Sequence, residues 1–154
     1  GVYVGVLNLQ GRVFMPAIDC PFRAAQAAVA ELRRKTPVIF VDFHADATSE
    51  KAALGRFLDG QATAVFGTHT HVQTADDQVL PGGTAYMTDL GMTGAHESVI
   101  GMEIEGSIRK FLTAMPGKLN PENKGLRFNG LVVEVDTETG RAISVERLNL
   151  PLPT

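Results

Sequence analysis

The sequence predicts a mixed α/β fold in which helices pack on a β-sheet. Apolar, β-branched runs of strand length alternate with segments rich in helix-forming residues along most of the chain. The final part has a different pattern, because apolar and polar residues alternate there as in an antiparallel hairpin with one solvated face. The chain has 154 residues, which is the length of one ordinary domain.

The predicted elements follow the order β, α, β, α, β, β, α and then a hairpin. Strands are expected where the apolar runs are continuous, at residues 2–7, 38–43, 63–66 and 84–90. Helices are expected at residues 21–35, from residue 48 or 49 to residue 60, and at residues 98–112. The hairpin is expected to pair residues 126–135 with residues 142–148, and residues 116–125 are expected to form a mobile loop.

Local signals set the ends of these helices. Pro21 suits the first position of the first helix, and Pro37 prevents that helix from continuing. Thr48 or Ser49 is expected to cap the second helix, and Gly60 to close it. The third helix is expected to bury an apolar face formed by Ile100, Ile104, Ile108, Phe111 and Leu112.

The charge balance argues against a broad surface for nucleic acid or anionic membranes. The sequence has 14 Lys and Arg against 17 Asp and Glu, which gives a formal net charge of −3. No run of about 18 apolar residues and no signal-peptide pattern are visible, so no membrane span is expected. The single cysteine, Cys20, cannot form an internal disulfide and is expected to be a small buried residue. A cytoplasmic location is therefore predicted.

Three of the four histidines lie at or directly after the carboxyl ends of predicted strands. These are His44, His69 and His71, and ligands bind at that edge of open α/β sheets. Residues two apart in an extended stretch point to one side and lie about 6.5 to 7 Å apart. His69 and His71 can therefore face one metal or two adjacent metals, with His44 arriving from the neighbouring strand. A single histidine would more often be structural, but the three together predict a metal site.

The types of ligand indicate which metals would bind and how. Imidazole nitrogen with carboxylate oxygen suits Zn, Mn, Fe or Ni better than Ca, and the lack of thiolates favours an open, catalytic site. Two adjacent metals would serve phosphate-ester hydrolysis. The sequence offers few carboxylates to neutralise two such ions. The nearby candidates are Asp42, Asp46, Asp76, Asp77 and Asp89.

Several segments resemble a known family. The run G-T-H-T-H-V at residues 67–72 resembles the closing G-x-H-x-H motif of calcineurin-like metallophosphoesterases. Together with residues 8–15, 41–51 and 88–94, it makes nearly the whole chain similar to the bacterial YmdB-type phosphodiesterases. The resemblance implies an α/β/β/α sandwich and a di-metal phosphodiesterase that acts on cyclic nucleotides, including the 2′,3′-cyclic kind.

The resemblance also implies roles for individual residues. His44 and His69 would bind one of two divalent ions and His71 the other, with Fe, Mn, Mg or Zn as candidates. The family's opening Asp motif, bridging Glu and proton-donating His all precede the matched part, so no catalytic residue is expected here. Residues 1–154 would thus be the C-terminal portion of a single metallophosphoesterase domain and inactive alone. Gly1 in place of Met, followed directly by a strand pattern, also suggests a start within a larger protein.

Five further residues have open or unusual roles. Asp42 and Asp89 are candidates for orienting the ligands, although each also has a structural explanation, at the end of a strand or as the cap of a turn. Arg12 could contact a phosphate or be a surface residue. Asp46 stands where the family pattern leads us to expect Glu. His96 follows a family motif that has no histidine there, and an exposed loop residue is expected.

Two other functions are compatible with these residues. A metal-dependent amide or ester hydrolase of another type can also carry His-x-His, but a barrel of eight βα units would then be expected, and too few units are visible. A regulatory module could bind metal without catalysis. The first choice implies a small-molecule or nucleotide phosphodiester as substrate and no membrane partner, and it leaves open whether copies of the chain associate.

Overall fold

The computed structural model describes residues 1–152 and confirms the mixed α/β class. Eight strands and three helices lie in this part of the chain. In order they are β1 (Gly5–Gln10), α1 (Pro21–Leu32), β2 (Ile39–His44), α2 (Thr48–Phe57), β3 (Ala64–Thr68), β4 (Gln78–Val79), β5 (Ala85–Met87), β6 (Gly94–Ala95), α3 (Ile104–Thr113), β7 (Leu126–Val135) and β8 (Ala142–Pro151).

The chain forms two compact units. The first comprises Gly1–Gly91 with Leu131–Arg147, and the second comprises Met92–Gly130 with residues 148–152. One sheet has the strand order β1-β2-β3-β5-β4, and the other has the order β6-β7-β8. β1, β2, β3 and β5 run parallel, so their carboxyl ends meet at one edge of the sheet.

The core of the first unit lies on one face of the parallel sheet. β2 alternates along its length, since Ile39, Val41 and Phe43 are buried while the residues between them are half-buried. The buried side chains pack with Val29 of α1 and Leu54 of α2. On the opposite face, Ala64, Ala85 and Ala142 form a smaller cluster, packed by Phe40, Phe66, Val133 and Val145. Both faces of the central strands are therefore covered.

The start of the first unit differs from the expectation. β1 begins at Gly5 rather than at residue 2, and Val2, Tyr3 and Val4 are exposed. β1 is an edge strand of the described sheet, and Val6 is 72% exposed. The expected start of the strand at residue 2 is therefore wrong, because an apolar pattern does not show where pairing with the next strand begins.

Smaller differences concern element ends. The N-cap of α2 is Ala47 and no side chain caps the helix, so the expectation that Thr48 or Ser49 caps it is wrong. Two-residue strands β4 and β6 carry no pattern long enough to be predicted. The hairpin of β7 and β8 is confirmed, with β8 extending to Pro151. Its turn is held by Asp136, which accepts hydrogen bonds from the Glu138 N–H (3.0 Å) and the Thr139 hydroxyl (2.7 Å).

The second unit contains α3, where two expectations are wrong. The helix begins at Ile104 rather than at residue 98, and only Gly106 and Ser107 within it are buried. The residues expected to form its buried face are 46% to 82% exposed. A helical period identifies an apolar face without showing that another element covers it. Within residues 1–152, none of the helices has the length and apolar character that crossing a membrane requires.

Gly67 in β3 is required by the close approach of the next strand. A Cβ at this position would lie 1.8 Å from the carbonyl oxygen of Thr88 and 2.7 Å from Cδ of Lys51. We expect Gly67→Ala to lower the free energy of unfolding by about 2 kcal/mol or more, because backbone atoms must move. Urea unfolding measures this. Gly117→Ala is the control, since no atom lies within 4 Å of its added Cβ, and equal effects of the two substitutions would contradict the packing explanation.

Candidate metal centre

The carboxyl edge of the parallel sheet brings together the strand ends that the sequence singled out. β2 ends at His44 and β3 ends at Thr68, and these two residues are partners in the strand register. Gln10 at the end of β1 pairs with His44 on the other side. His69 follows directly on β3, so both it and His44 lie at this edge, as predicted from the apolar runs that precede them.

His44 and His69 lie in direct contact. Nε2 of His44 is 3.1 Å from Nδ1 of His69, and the rings meet edge to face with centroids 4.8 Å apart. Two imidazole nitrogens on one zinc-like ion, each bonded at about 2.0 to 2.1 Å, lie about 2.9 to 3.4 Å apart for right-angle to tetrahedral geometry. The observed nitrogen separation of 3.1 Å falls within this range.

The loop after β3 has an unusual backbone at both of its histidines. His69 has φ of 106° and His71 has φ of 65°, values that side-chain-bearing residues seldom adopt. The expectation of an extended backbone from His69 to His71 is therefore wrong, and the convergence of their side chains stays a prediction. Such conformations cost about 1 to 3 kcal/mol each and cluster at functional sites. The strain supports a functional role for this loop.

Asp89 explains why the loop turns. Its Oδ2 accepts the Thr70 N–H at 3.1 Å, and Thr70 lies between the two histidines. The same oxygen accepts a hydrogen bond from Nζ of Lys51 at 2.6 Å, and both side chains of this ion pair are 1% exposed. Oδ1 accepts the Gly91 N–H at 2.9 Å. Asp89 thus holds the turn that follows it and the histidine loop, while a contact that orients a histidine ring stays a prediction.

Asp42 is connected to the histidine pair through one intervening side chain, that of Thr68. Its two oxygens accept hydrogen bonds from the Thr68 hydroxyl at 2.9 Å and from the Asn8 amide at 2.8 Å. Thr68 Oγ1 in turn lies 3.2 Å from Nδ1 of His44. Asp42 therefore acts on His44 through Thr68. No sequence signal singled out Thr68 or Asn8, because threonine and asparagine at strand ends are common in any fold.

The structure groups two of the three predicted metal ligands. His71 is exposed. Among residues 1–152, no three His, Cys, Asp or Glu side chains are gathered closely enough to hold one ion. Coordination by His44, His69 and His71 therefore stays a prediction, and the His44–His69 pair is the part of the site whose geometry is present.

Arg12 lies in a loop that Glu50 secures. The buried carboxylate of Glu50 accepts the backbone N–H of Arg12 at 3.1 Å and that of Val13 at 3.2 Å. The side chain of Arg12 is exposed, and its contact with a phosphate stays a prediction. The sequence gives no signal for this role of Glu50, because an acidic residue in the first turn of a helix is usually solvated.

Two other singled-out residues lie elsewhere. Cys20 is the N-cap of α1 and is half-buried, so the expectation of a buried residue is wrong. The nearby backbone N–H of Arg23 lowers the pKa of the thiol below the usual 9.0. His96 belongs to the second unit and is half-buried, so the expectation of an exposed residue is wrong. Its Nε2 donates a hydrogen bond to the carbonyl oxygen of Met92 at 3.0 Å.

Asp76 predicts a pH dependence of stability. Burial opposes its ionisation, but hydrogen bonds from Thr74 and Thr88 outweigh burial and hold its pKa below the usual 3.8. A lowered pKa stabilises the folded state above the usual carboxyl value, and this contribution is lost as the pH falls towards the pKa of the folded state. We expect Asp76→Asn to lose less stability than the wild type between about pH 4 and pH 2. Urea midpoints across this range measure it, and a profile changed no more than that of the exposed control Asp19→Asn would contradict it.

Comparisons with known proteins test the family resemblance found in the sequence. A family model described as YmdB-like protein matches residues 1–148. The chain is 49% identical over 148 residues to a 2′,3′-cyclic-nucleotide 2′-phosphodiesterase of Bacillus subtilis strain 168, covering 96% of this chain and 56% of that protein. The resemblance inferred from the motifs is thereby confirmed.

Two solved structures are similar over nearly the whole chain. A hypothetical protein from Thermus thermophilus has a TM-score of 0.89 at 41% identity, covering 96% of this chain and 57% of its own. A phosphatase from Mycoplasma pneumoniae has a TM-score of 0.86 at 39% identity, and the match covers 95% of this chain and 52% of that protein's chain. The fold class is confirmed. The chain spans little more than half the length of these relatives.

Proposed function

The chain belongs to the YmdB-like protein family, and from this premise we propose that it contributes the histidine ligands of a metal-dependent phosphodiesterase for cyclic nucleotides. The observation that carries the proposal is the contact of His44 with His69 at the carboxyl edge of the sheet, with 3.1 Å between their nitrogens. The substrate class comes from the B. subtilis relative, which is named for 2′,3′-cyclic nucleotides. The activity belongs to the full-length protein, meaning these residues within a polypeptide as long as the relatives.

The donor set of the site fits the metals that the proposal requires. Neutral imidazole nitrogens bind Zn, Mn and Fe, and no cysteine lies among the predicted ligands. His44 and His69 would hold one ion and His71 a second, with carboxylates from outside these residues completing both. Divalent ions there supply polarisation of the phosphoryl oxygens and water of lowered pKa.

The residues of this chain contribute position and charge. Asp89 holds the histidine loop in its strained conformation through the Thr70 N–H. Lys51 neutralises that buried carboxylate, so that Asp89 remains an acceptor without adding unpaired charge beside the site. Arg12, in the loop that Glu50 secures, would contact a phosphate oxygen of the substrate. A cytoplasmic location accords with a nucleotide substrate.

Residues 1–154 are proposed to form the C-terminal portion of one metallophosphoesterase domain. Three neutral imidazoles cannot offset two divalent cations, so the chain alone should bind metal weakly and be inert. The full-length protein and residues 1–154 should be assayed side by side with Mn²⁺ and a 2′,3′-cyclic nucleotide. Equal rates per molecule would contradict the proposal that residues 1–154 hold only part of the active site.

The activity itself is tested with the full-length protein and two artificial substrates. We expect bis-p-nitrophenyl phosphate to be hydrolysed with Mn²⁺, to lose hydrolysis on addition of a chelator and to regain it on resupply of the metal. p-Nitrophenyl acetate is the control for an amide or ester hydrolase, and preferential turnover of the acetate would overturn the proposal. Metal binding without turnover of either substrate would instead support a regulatory module.

A further inference from the structure

Three polar side chains outside the predicted ligands form a continuous chain that ends on His44. We propose that Asn8, Asp42 and Thr68 are positioning residues that keep His44 in the tautomer with its proton on Nδ1. Nε2 then offers its lone pair to the site. The inference rests on the proposed function in one respect, which is that the ligand bound by Nε2 is a metal ion.

Asp42 fixes the direction of the hydrogen bonds at its end of the chain. Each of its two oxygens accepts one hydrogen bond, so both contacts are donated by the partners of Asp42. Asn8 donates through Nδ2 at 2.8 Å, and Thr68 donates through its hydroxyl at 2.9 Å. The Thr68 hydroxyl therefore points its proton away from His44.

Thr68 passes this direction on to the imidazole. Its hydroxyl has one proton, and that proton is given to Asp42. The contact of 3.2 Å between Thr68 Oγ1 and His44 Nδ1 must then be donated by the ring. In a neutral imidazole with the proton on Nδ1, Nε2 has the free lone pair.

The free lone pair of His44 points towards the second histidine. Nε2 of His44 lies 3.1 Å from Nδ1 of His69, and with the His44 proton on Nδ1 this contact would be donated by His69. Hydrogen bonds on the far nitrogen commonly fix the ring orientation and tautomer of metal-binding histidines. Here the Thr68 hydroxyl bonds the far nitrogen of His44, and the Asp42 carboxylate sets the direction of that hydroxyl by accepting its proton.

The chain of contacts is built across three adjacent parallel strands. Asn8 of β1 is the register partner of Asp42 on β2, and His44 is the partner of Thr68 on β3. Side chains on register partners point to the same face of the sheet. A site placed on strands is held more precisely than one placed on loops, which contrasts with the loop position of His69.

The test uses the full-length protein without metal, with ¹⁵N-labelled histidine, and two-bond ¹H–¹⁵N correlation at mildly alkaline pH. His44→Gln identifies the signals of His44. We expect the Nδ1–H form in the wild type and in Thr68→Ser, which keeps the hydroxyl, and a mixture of tautomers in Thr68→Val. Asp42→Ala frees the Thr68 hydroxyl to donate to Nδ1, so the population should shift towards the Nε2–H form.

Titration with Mn²⁺ gives a second readout of the same variants. We expect Thr68→Val to weaken Mn²⁺ binding about 10- to 100-fold and Thr68→Ser to restore most of it. An Nε2–H tautomer in the wild type, or no change of tautomer in Thr68→Val, would overturn the inference. If the tautomers behave as expected but no variant and no wild-type protein binds Mn²⁺, the proposed function fails while the positioning role of Thr68 stands.

Discussion

Replacing His69 with alanine in the full-length protein is expected to reduce phosphodiesterase activity by about 100-fold or more. The substitution removes one of the two imidazoles whose nitrogens lie 3.1 Å apart. Loss of a residue that only supports a metal ligand already costs about 10- to 100-fold, so loss of a ligand itself should cost at least as much. Initial rates with bis-p-nitrophenyl phosphate at saturating Mn²⁺ measure the effect.

Two further variants separate the ring from the backbone. His69→Gly removes the same imidazole but adopts the φ of 106° without strain, so equal losses in the two variants assign the effect to the ring. His96→Ala is the matched histidine control and should retain activity. Near-normal turnover of His69→Ala with metal still bound would contradict the predicted role of His69.

Lys51→Met is expected to cause a large loss of stability, about 3 to 5 kcal/mol, in the free energy of unfolding. The reason is that Asp89 would remain buried without the cation that compensates its charge, since both side chains of the pair are 1% exposed. Urea unfolding of the full-length protein measures the loss. The histidine loop should also become more mobile, because Asp89 holds it through Thr70.

An exposed ion pair provides the control for Lys51. Lys35 and Glu31 lie 3.8 Å apart at the end of α1, with side chains 71% and 68% exposed. Glu31→Ala should change the free energy of unfolding by less than about 0.5 kcal/mol, because water screens such pairs. A loss below about 1 kcal/mol for Lys51→Met would show that the buried pair contributes no more than a surface pair.

The parallel core could be predicted because its signals are local. A continuous apolar run such as residues 38–43 has the length of a strand, and Pro21 and Pro37 bound the helix before it. β2 and α1 lie where these signals indicated. The histidines at strand ends followed from the same runs, since the carboxyl ends of parallel strands share one edge.

The exposed apolar residues could not be predicted correctly, because burial depends on neighbours. Phe111 and Leu112 fit the apolar face of a helix, yet they are 82% and 81% exposed. Val6 belongs to an apolar run but lies on an edge strand. Periodicity shows which side chains share a face, and only the tertiary structure shows what covers that face.

The contacts that hold the histidine loop in place also could not be predicted from the sequence. Lys51 is a charged residue in a short helix, which normally indicates a solvated face, and its partner Asp89 lies 38 residues away. The positive φ of His69 has no sequence signal either, since positive φ is usually associated with glycine. Both features depend on contacts between β3, α2 and the segment after β5.

The most direct test of the predicted metal centre is a crystal structure of the full-length protein soaked with Mn²⁺, with anomalous data collected at the manganese edge. We expect an anomalous peak within bonding distance of both Nε2 of His44 and Nδ1 of His69, and a second peak bonded to His71. Peaks only at other residues, such as His96, or none at either position in a fully active protein, would contradict the predicted centre.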